Sequence, residues 1–556
     1  MGEPLPDKRW RVRRLQPYIL SSPAEKVVRI VSVPRPSQNK YPSAVKAMLW
    51  LTGAQSRAEI GKHGPAVASL PFPEHGDEPN LNKFGHVFGR DSLIIGLAAQ
   101  EVYPNLLPTT LRYVATKQGI RNDPVSGEQT GKIFHDDNDP ESPLGRKFME
   151  LFGWKFPFYA TVDATPLFIQ GIHRVLNRHD PDFLSRPYEA RDGFTRTMAS
   201  AFFQSAMWLL RETNSRSGNE EGLLEFGPIE AKGMESKSWK DSYHAYCHED
   251  ETIANYGRGI ASLEAQAYAY DALLDAADIY RGLGNHGIAR AFATRAEQLR
   301  QIVLETFWVE DEHGGYFASG TDRDDSGRLR VMRVRTSSMG HLLNSRILDG
   351  NDPEVVRRRE AVIRTLFTKE MFAPTGIRTM GSGEVLFNPT SYHNGGIWPW
   401  DNGWIALGLE RHGYNGLAWK IWETMLTDIN ATRCFPEVLR GGDRLKPTLN
   451  KKAVYVHNKA LDMTYLLERP PQEIQGWTTI MALLAKRRNN PLVGRETYTR
   501  LHQATDTDKR ALEEDLLANL SYKPKVIDIS WYIRNRRWRE SSHESNLERQ
   551  SNRRVA

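Results

Sequence analysis

The sequence predicts an all-α fold: a toroid of paired helices with long loops and one small β-hairpin. Three observations carry that expectation. Apolar residues recur at i, i+3, i+4 and i+7 in about a dozen segments. Strand patterns are few. Clusters of polar and aromatic residues fall just before helical segments begin, as in "FGRDS", "YATVDAT", "SKSWKDS" and "YHNGGIWPWDN".

The helical segments come in order as "RDSLIIGLAAQEVY", "LLPTTLRYVATKQG", "VDATPLFIQGIHRVLNRHD", "GFTRTMASAFFQSAMWLLRE", "ASLEAQAYAYDALLDAADIYRGLG" and "IARAFATRAEQLRQIVLETFW". After "SSMGHLLNSRIL" and "PEVVRRREAVIRTLFT" follow "WDNGWIALGLERHG", "GLAWKIWETMLTDIN", "AVYVHNKALDMTYLLE" and "QEIQGWTTIMALLAK". Consecutive pairing of such helices builds two concentric rings. No fixed period supports a repeat solenoid instead. "GYFASG" and "RLRVMRV", flanking "TDRDDSG", predict the hairpin. Three parts result: a Pro-rich N-terminal extension over 1–80 with one apolar segment, "AVKAMLWLTGA"; the helical catalytic domain over 81–490; and a helical segment with a basic tail over 491–556.

Composition narrows the class. At 40% apolar and 26% charged residues, the 556-residue chain can bury a core. Cys247 and Cys434 are too few for a disulfide framework, and "MGEPLPDKRWRVRR" has no apolar stretch after its charges. No run reaches bilayer-spanning length. The expected setting is therefore cytoplasmic, with no membrane. The net charge of +6 comes mostly from the tail after Leu520, where nine basic residues face four acidic ones. That tail, with Trp531 and Trp538, is the sole hint of a nucleic-acid partner and reads more simply as a solvated end.

The chemistry-bearing positions are carboxyls among rings. Asp241, between Trp239 and Tyr243, fits a desolvated general acid or a helix N-cap. Glu437, after Pro436, fits a water-activating base or an ion-pair partner of Arg440 or Arg444. If the two face each other across a sugar, a water fits between them and hydrolysis inverts the anomer. Arg90 and Asp91 offer a fork of donors and an acceptor for adjacent hydroxyls. Glu264 and Gln266 sit near a helix start, and Asp163 suits either a cap or a sugar contact. In "SYHNGGIWPWDN", ring faces suit a pyranose while Tyr392, His393, Asn394, Trp398 and Asp401 suit a pocket wall. His244, Cys247 and His248 have no second cluster to complete a metal site, so neither metal nor other cofactor is expected. "GEQTGKIF" is no phosphate loop, "HDDNDPESP" no calcium loop, and no nucleophile elbow is visible.

Taken in order, "FGRDSLIIGL", "YATVDATPLFI", "SWKDSYHA", "LEAQAYAYDA", "YHNGGIWPWDN" and "FPEVLRG" resemble the glucosidase domain of bacterial glycogen-debranching (amylo-α-1,6-glucosidase) proteins. More distantly they resemble glucoamylases and mannosyl-oligosaccharide glucosidases. The likeness covers roughly residues 82–487. It implies an (α/α)6 barrel and an inverting glycoside hydrolase, with Asp241 as acid and Glu437 as base. It further implies that Arg90 and Asp91 bind the non-reducing-end sugar and that Tyr392, His393, Asn394, Trp398 and Asp401 form the pocket wall. The family's large N-terminal β-sandwich cannot fit in 80 residues, and "LNKKAVYVHNKALDM" departs from its pattern. Both departures point to a short saccharide or small glucosyl conjugate as substrate. The expectation is an exo-acting α-glucosidase. Its rivals are a sugar isomerase, epimerase or phosphorylase on the same fold, and a saccharide-binding protein without turnover.

Overall fold

The structure is a computed structural model that describes residues 30–32, 42–70, 84–216, 218–227, 234, 236–312, 314–443, 446–450, 452–458, 463–469, 472–488 and 507–520. The basic tail beyond Leu520 lies outside them.

In chain order the helices are α1 (Ala44–Thr52), α2 (Gly89–Ala98), α3 (Leu106–Thr116), α4 (Pro143–Phe152), α5 (Ala164–Arg178), α6 (Met198–Glu212) and α7 (Leu263–Gly282). Then come α8 (His286–Thr306), α9 (Ser338–His341), α10 (Pro353–Leu366), α11 (Pro399–Arg411), α12 (Asn415–Thr432) and α13 (Gly476–Arg488). Helices α2, α5, α7, α9, α11 and α13 each touch the next, and α13 touches α2, so they close a ring. Outside it, α1 packs on α13, α3 on α2 and α5, α6 on α5 and α7, α8 on α7, α10 on α9, and α12 on α11 and α13. This is an (α/α)6 barrel.

Inner and outer helices alternate strictly along the chain. Every inner helix is thus returned by an outer one, and all six inner helices start at the same end. Their unsatisfied first-turn N–H groups aim partial positive charge at one mouth.

The apolar stripe expected of every helix describes α3, α5 and α6, which combine apolar and exposed faces. In the inner ring, α2, α11 and α13 are instead buried on nearly all sides, and α7 buries even Glu264, Gln266 and Asp271. The sixth inner helix, α9, is a single turn continued by the 3-10 turn Leu342–Asn344.

Helix α1, "AVKAMLWLT" within the stretch read as an N-terminal extension, packs against α13 as one of the outer helices. At the other end, helix Thr507–Asn519 docks on α12, where Glu513 accepts from the Gly416 N–H at 2.8 Å. The hairpin is displaced from expectation. Gly320–Arg323 pairs with Leu329–Met332, whereas Tyr316–Phe317 pairs with Trp308–Val309. The shift places Asp322 in the strand, where its fully buried carboxylate takes Arg330 and the Asn255 N–H.

Candidate active site

Arg90 and Asp91 occupy the first turn of α2, after the extended Phe88. Both are buried. Arg90 Nη1 lies 3.4 Å from Asp163 Oδ2, its Nε 3.6 Å from Asp91 Oδ2, and its Nη2 4.0 Å from Asp241 Oδ2. One guanidinium therefore serves three carboxyls. Burial disfavours the charge on Arg90, but Asp163, Asp91 and Asp241 outweigh it and raise its proton affinity. Burial pushes the Asp91 carboxyl up to about 7; Arg90 opposes this, while Asp241, Asp163 and Glu437 add to it.

Asp241 is not a helix cap. It sits among the turns of residues 236–260, between α6 and α7, and its side chain is 30% exposed. The loop that carries it is clamped from below. Glu264 Oε1, on the first turn of α7, accepts from Ser238 at 2.9 Å and from Tyr246 at 2.8 Å. Lys240 is buried, reaches the Thr379 carbonyl at 3.2 Å and lies over the Trp239 ring. Burial lowers its proton affinity, with Glu264 and Asp401 opposing. Consecutive in an irregular loop, Lys240 is buried and anchors the loop while Asp241 stays partly exposed.

Glu437 arrives from the opposite arc of the ring. Its turn is fixed by the two mutual 2.8 Å bonds of Leu439 and Ile397, by Thr478 on the Pro436 carbonyl at 2.9 Å, and by the Glu437 N–H on the Gln472 carbonyl at 3.1 Å. Tyr392 donates its hydroxyl to Glu437 Oε1. Burial raises the Tyr392 phenol well above its ordinary range, and Glu437 and Asp241 both add to that. Asp241, Glu437, Asp91 and Tyr392 therefore lie close enough for their charges to act on one another.

Most of the expected pocket wall stands one layer back from these four. Asp163 has no exposed surface; it caps nothing with its side chain and instead takes Thr161 Oγ1 at 2.5 Å and Arg90. Glu264, Gln266 and Asp401 are equally inaccessible. Gln266 bonds the Leu224 N–H and carbonyl at 2.8 and 2.9 Å, so its amide ties down a loop. Asp401 Oδ1 meets His341 Nε2 at 2.6 Å, and His341 Nδ1 meets the Tyr268 hydroxyl at 2.5 Å. All four, expected to touch sugar, are without exposed surface here and spend the hydrogen bonds named above on neighbouring loops and helices.

The aromatic stretch behaves in the same way. His393 Nδ1 lies 2.5 Å from Ser242 Oγ and 3.3 Å from the Ser242 N–H, so this wall grips the residue after Asp241. Asn394 donates to the His244 carbonyl at 2.6 Å, and Trp398 Nε1 to the Tyr392 carbonyl at 2.7 Å. Trp239 packs edge-on against Trp400 and Trp398 at 5.0 and 5.7 Å and stacks on His341 at 6.0 Å. Trp477, on α13, stacks on Trp400 at 4.7 Å. Sequence reading passed over Lys240, Tyr268, His341 and Trp477. Each lies in a segment read as helix or loop, with nothing local to mark it.

Two glycines join the walls. Gly395 has φ near 139°, a conformation side chains disfavour, and a Cβ on Gly441 would lie 1.7 Å from the Gly395 carbonyl oxygen. Arg378, fully buried, locks the same loop by donating to the Gly441 carbonyl at 2.6 Å. Gly441→Ala must therefore push the Glu437 turn away from the Tyr392 wall. The expected result is a loss of about 1–3 kcal/mol by chemical denaturation, with a fall in turnover.

Of the His244, Cys247 and His248 cluster, His248 contacts Asp322 at 3.1 Å and Cys247 is a buried free thiol. Among the described residues, the one grouping spaced to hold a metal is His173, Asp275 and Asp278, and Arg346 already pairs with Asp275 at 2.7 Å. No helix among the described residues is long and apolar enough to cross a membrane.

Residues 167–437 match the mannosylglycerate hydrolase MGH1-like glycoside hydrolase domain. The protein is a glycoside hydrolase. That matched span contains Asp241 and ends on Glu437. No curated protein sequence matches the chain. Among solved structures, a mannosylglycerate hydrolase from Thermus thermophilus in complex with Tris is similar, at 14% identity and a TM-score of 0.51, over 80% of this chain and 100% of that one. The likeness to this glycoside hydrolase is one of fold. The same protein in complex with glucose aligns at 16% identity and a TM-score of 0.47, with the same coverage. A bacterial glucoamylase complexed with acarbose aligns at 13% identity and 0.46, over 86% of this chain and 57% of that one.

The site also gives the hydrolase a pH signature. Asp91 keeps its proton up to about pH 7 when folded but loses it near pH 4 when unfolded. Between those values the folded state binds more protons, so this group's contribution to stability is complete below pH 4 and is lost as pH rises through 7. Asp91→Asn should flatten that part of the stability–pH curve, measured by urea midpoints from about pH 4.5 to 8.

Proposed function

We propose that this glycoside hydrolase is an exo-acting, inverting α-glycosidase, an α-glucosidase on short α-glucans or small glucosyl conjugates. Asp241 is the general acid and Glu437 the general base. One observation supports the reading: two carboxyls from distant loops both act on the same two neighbours, Asp91 and Tyr392. Their environments also differ. Asp241 is partly exposed, beside the cationic Arg90 and the Trp239 loop, where a leaving oxygen can approach. Glu437 is buried under a donated phenol hydroxyl, which orients the oxygen that would take a proton from water. Arg90 and Asp91 bind the hydroxyls of the terminal sugar, with Tyr392 closing the wall.

The matched domain is named for mannosylglycerate hydrolysis, which favours the small conjugate over the polymer and adds mannosyl to glucosyl as a candidate sugar. Glycogen debranching becomes the less favoured substrate assignment. The buried thiols of Cys247 and Cys434 fit a reducing, cytoplasmic setting.

Proton NMR of the anomeric signals tests this with α-glucosides, maltooligosaccharides, and glucosyl- and mannosylglycerate as substrates. Early release of the β-sugar supports the reading. Early α-sugar means retention and a wrong pairing. A requirement for phosphate, or rearrangement without hydrolysis, would indicate the phosphorylase or isomerase rivals. Saccharide binding with no turnover on any substrate would indicate the binding protein.

A further inference from the structure

Behind the turn that carries Glu437 lies a small cavity. Ile397, Pro436 and Leu439 bound it on the side of that turn, and Ile421, Met425 and Ile429 of α12 bound it on the outer side. Four polar side chains also line it, and Asn402 and Thr424 already donate to backbone carbonyls. The other two are Asp428 of α12, and Thr375 between the short strands Phe372–Ala373 and Gly376–Ile377. Asp428 and Thr375 are each 4% exposed, and neither Asp428 Oδ2 nor Thr375 Oγ1 has a hydrogen-bond partner among the described residues. The cavity offers about 10 Å³ to the centre of a water molecule, room for one.

The chemistry of the walls selects that occupant. Among the described residues, Asp428 is the sole titratable group lining the cavity. Burial holds its carboxyl protonated well above the ordinary range, and Lys420, on its own helix, is the charge opposing this. A neutral carboxyl offers one donor and an acceptor, and a hydroxyl offers the same, which together satisfy a water. A cation would need several more oxygens than these largely aliphatic walls supply.

We propose that Asp428 is a positioning residue for the turn bearing Glu437, acting through one buried water that it shares with Thr375. The bridge sets the spacing of α12 from the 372–377 hairpin, and Pro436 and Leu439, on either side of the base, pack in that interval. The proposal rests on the reading of Glu437 as the base.

The test compares Asp428→Asn, Asp428→Leu and Thr375→Val with wild type, on the substrate turned over in the NMR assay. Asparagine keeps a neutral donor and acceptor, so its kcat should stay within about twofold and its pH profile should be unchanged. Leucine and valine remove one side of the bridge at nearly constant volume. Their kcat should fall about tenfold with KM within about twofold, and the basic-residue limb of the kcat–pH profile should move. A crystal structure of the wild type should show one water bonded to Asp428 and Thr375. Wild-type kcat and pH profile in Asp428→Leu would overturn the proposal, as would a dry cavity. So would an Asp428→Asn variant as impaired as Asp428→Leu, because then charge would be what counts. If thermal melting shows Asp428→Leu unfolded, Thr375→Val decides by the same criteria. Undiminished turnover in Glu437→Gln would mark failure of the base assignment itself.

Discussion

Glu437→Gln is expected to lower kcat about 10^3-fold while leaving KM within a fewfold of wild type. General-base assistance is worth about 10^2–10^4 in rate, so the loss corresponds to about 4 kcal/mol of transition-state stabilisation. The substitution is nearly isosteric, so the turn should survive it. Leu439 still pairs with Ile397, Thr478 still bonds the Pro436 carbonyl, and Tyr392 can donate to the amide oxygen as it does to the carboxylate. What disappears is the carboxylate that, as proposed, takes the proton from water. Steady-state kinetics beside the thermal melting curve check both halves: an unchanged melting temperature with collapsed kcat supports the assignment. Turnover within about tenfold of wild type would remove Glu437 from the mechanism.

Arg90→Leu should be the most damaging single change to the site's architecture. It leaves Asp163, with no exposed surface, and Asp91 buried without their shared cation. Removing one partner of a buried ion pair costs about 3–5 kcal/mol. The deficit should depend on pH with a definite sign. Without Arg90 both carboxyls hold their protons more tightly in the folded state, and folding then loses stability as pH rises. Urea midpoints of variant and wild type should therefore differ less at about pH 5 than at about pH 7.5. Activity should fall at least about 10^2-fold at either pH, because Arg90 also contacts Asp241 and places Asp91, the proposed sugar ligand. A variant equally stable at both pH values would show that Asp163 and Asp91 do not depend on this guanidinium.

How legible the molecule was in its sequence varied by element. Most helical segments were readable because burial of one stripe imposes a 3.6-residue period, and α3, α5, α6 and α10 show it plainly. "AVYVHNKALDMTYLLE" was not: it forms the antiparallel strands Lys452–Asn458 and Met463–Arg469, because a short apolar run rich in Val and Tyr fits a strand as well as a helix. The hairpin was found but misregistered. Alternation cannot reveal that Asp322 is buried when its partners, Arg330 and Asn255, are eight and 67 residues away. Asp241 and Glu437 stood out because a carboxyl among aromatic or apolar neighbours is unusual. Their supporters did not. Lys240, His341 and Tyr268 carry no local signal, since what makes each one matter is a partner from a distant segment.

The sequence by itself determined that the chain pairs helices around a ring, and that polar and aromatic clusters sit where helices begin. Both follow from local physics, the periodicity of apolar residues and the open N–H groups of a helix's first turn. Tertiary structure alone decided which cluster residues face the cleft and which stand behind it. Asp163, Glu264, Gln266 and Asp401 have polar side chains much like that of Asp91, yet each is sealed away by an interhelical partner or a neighbouring loop. Closure of the ring makes that choice. It brings six helix starts to one mouth, where there is room for only a few side chains to reach the centre, and the rest must find their hydrogen bonds within the wall.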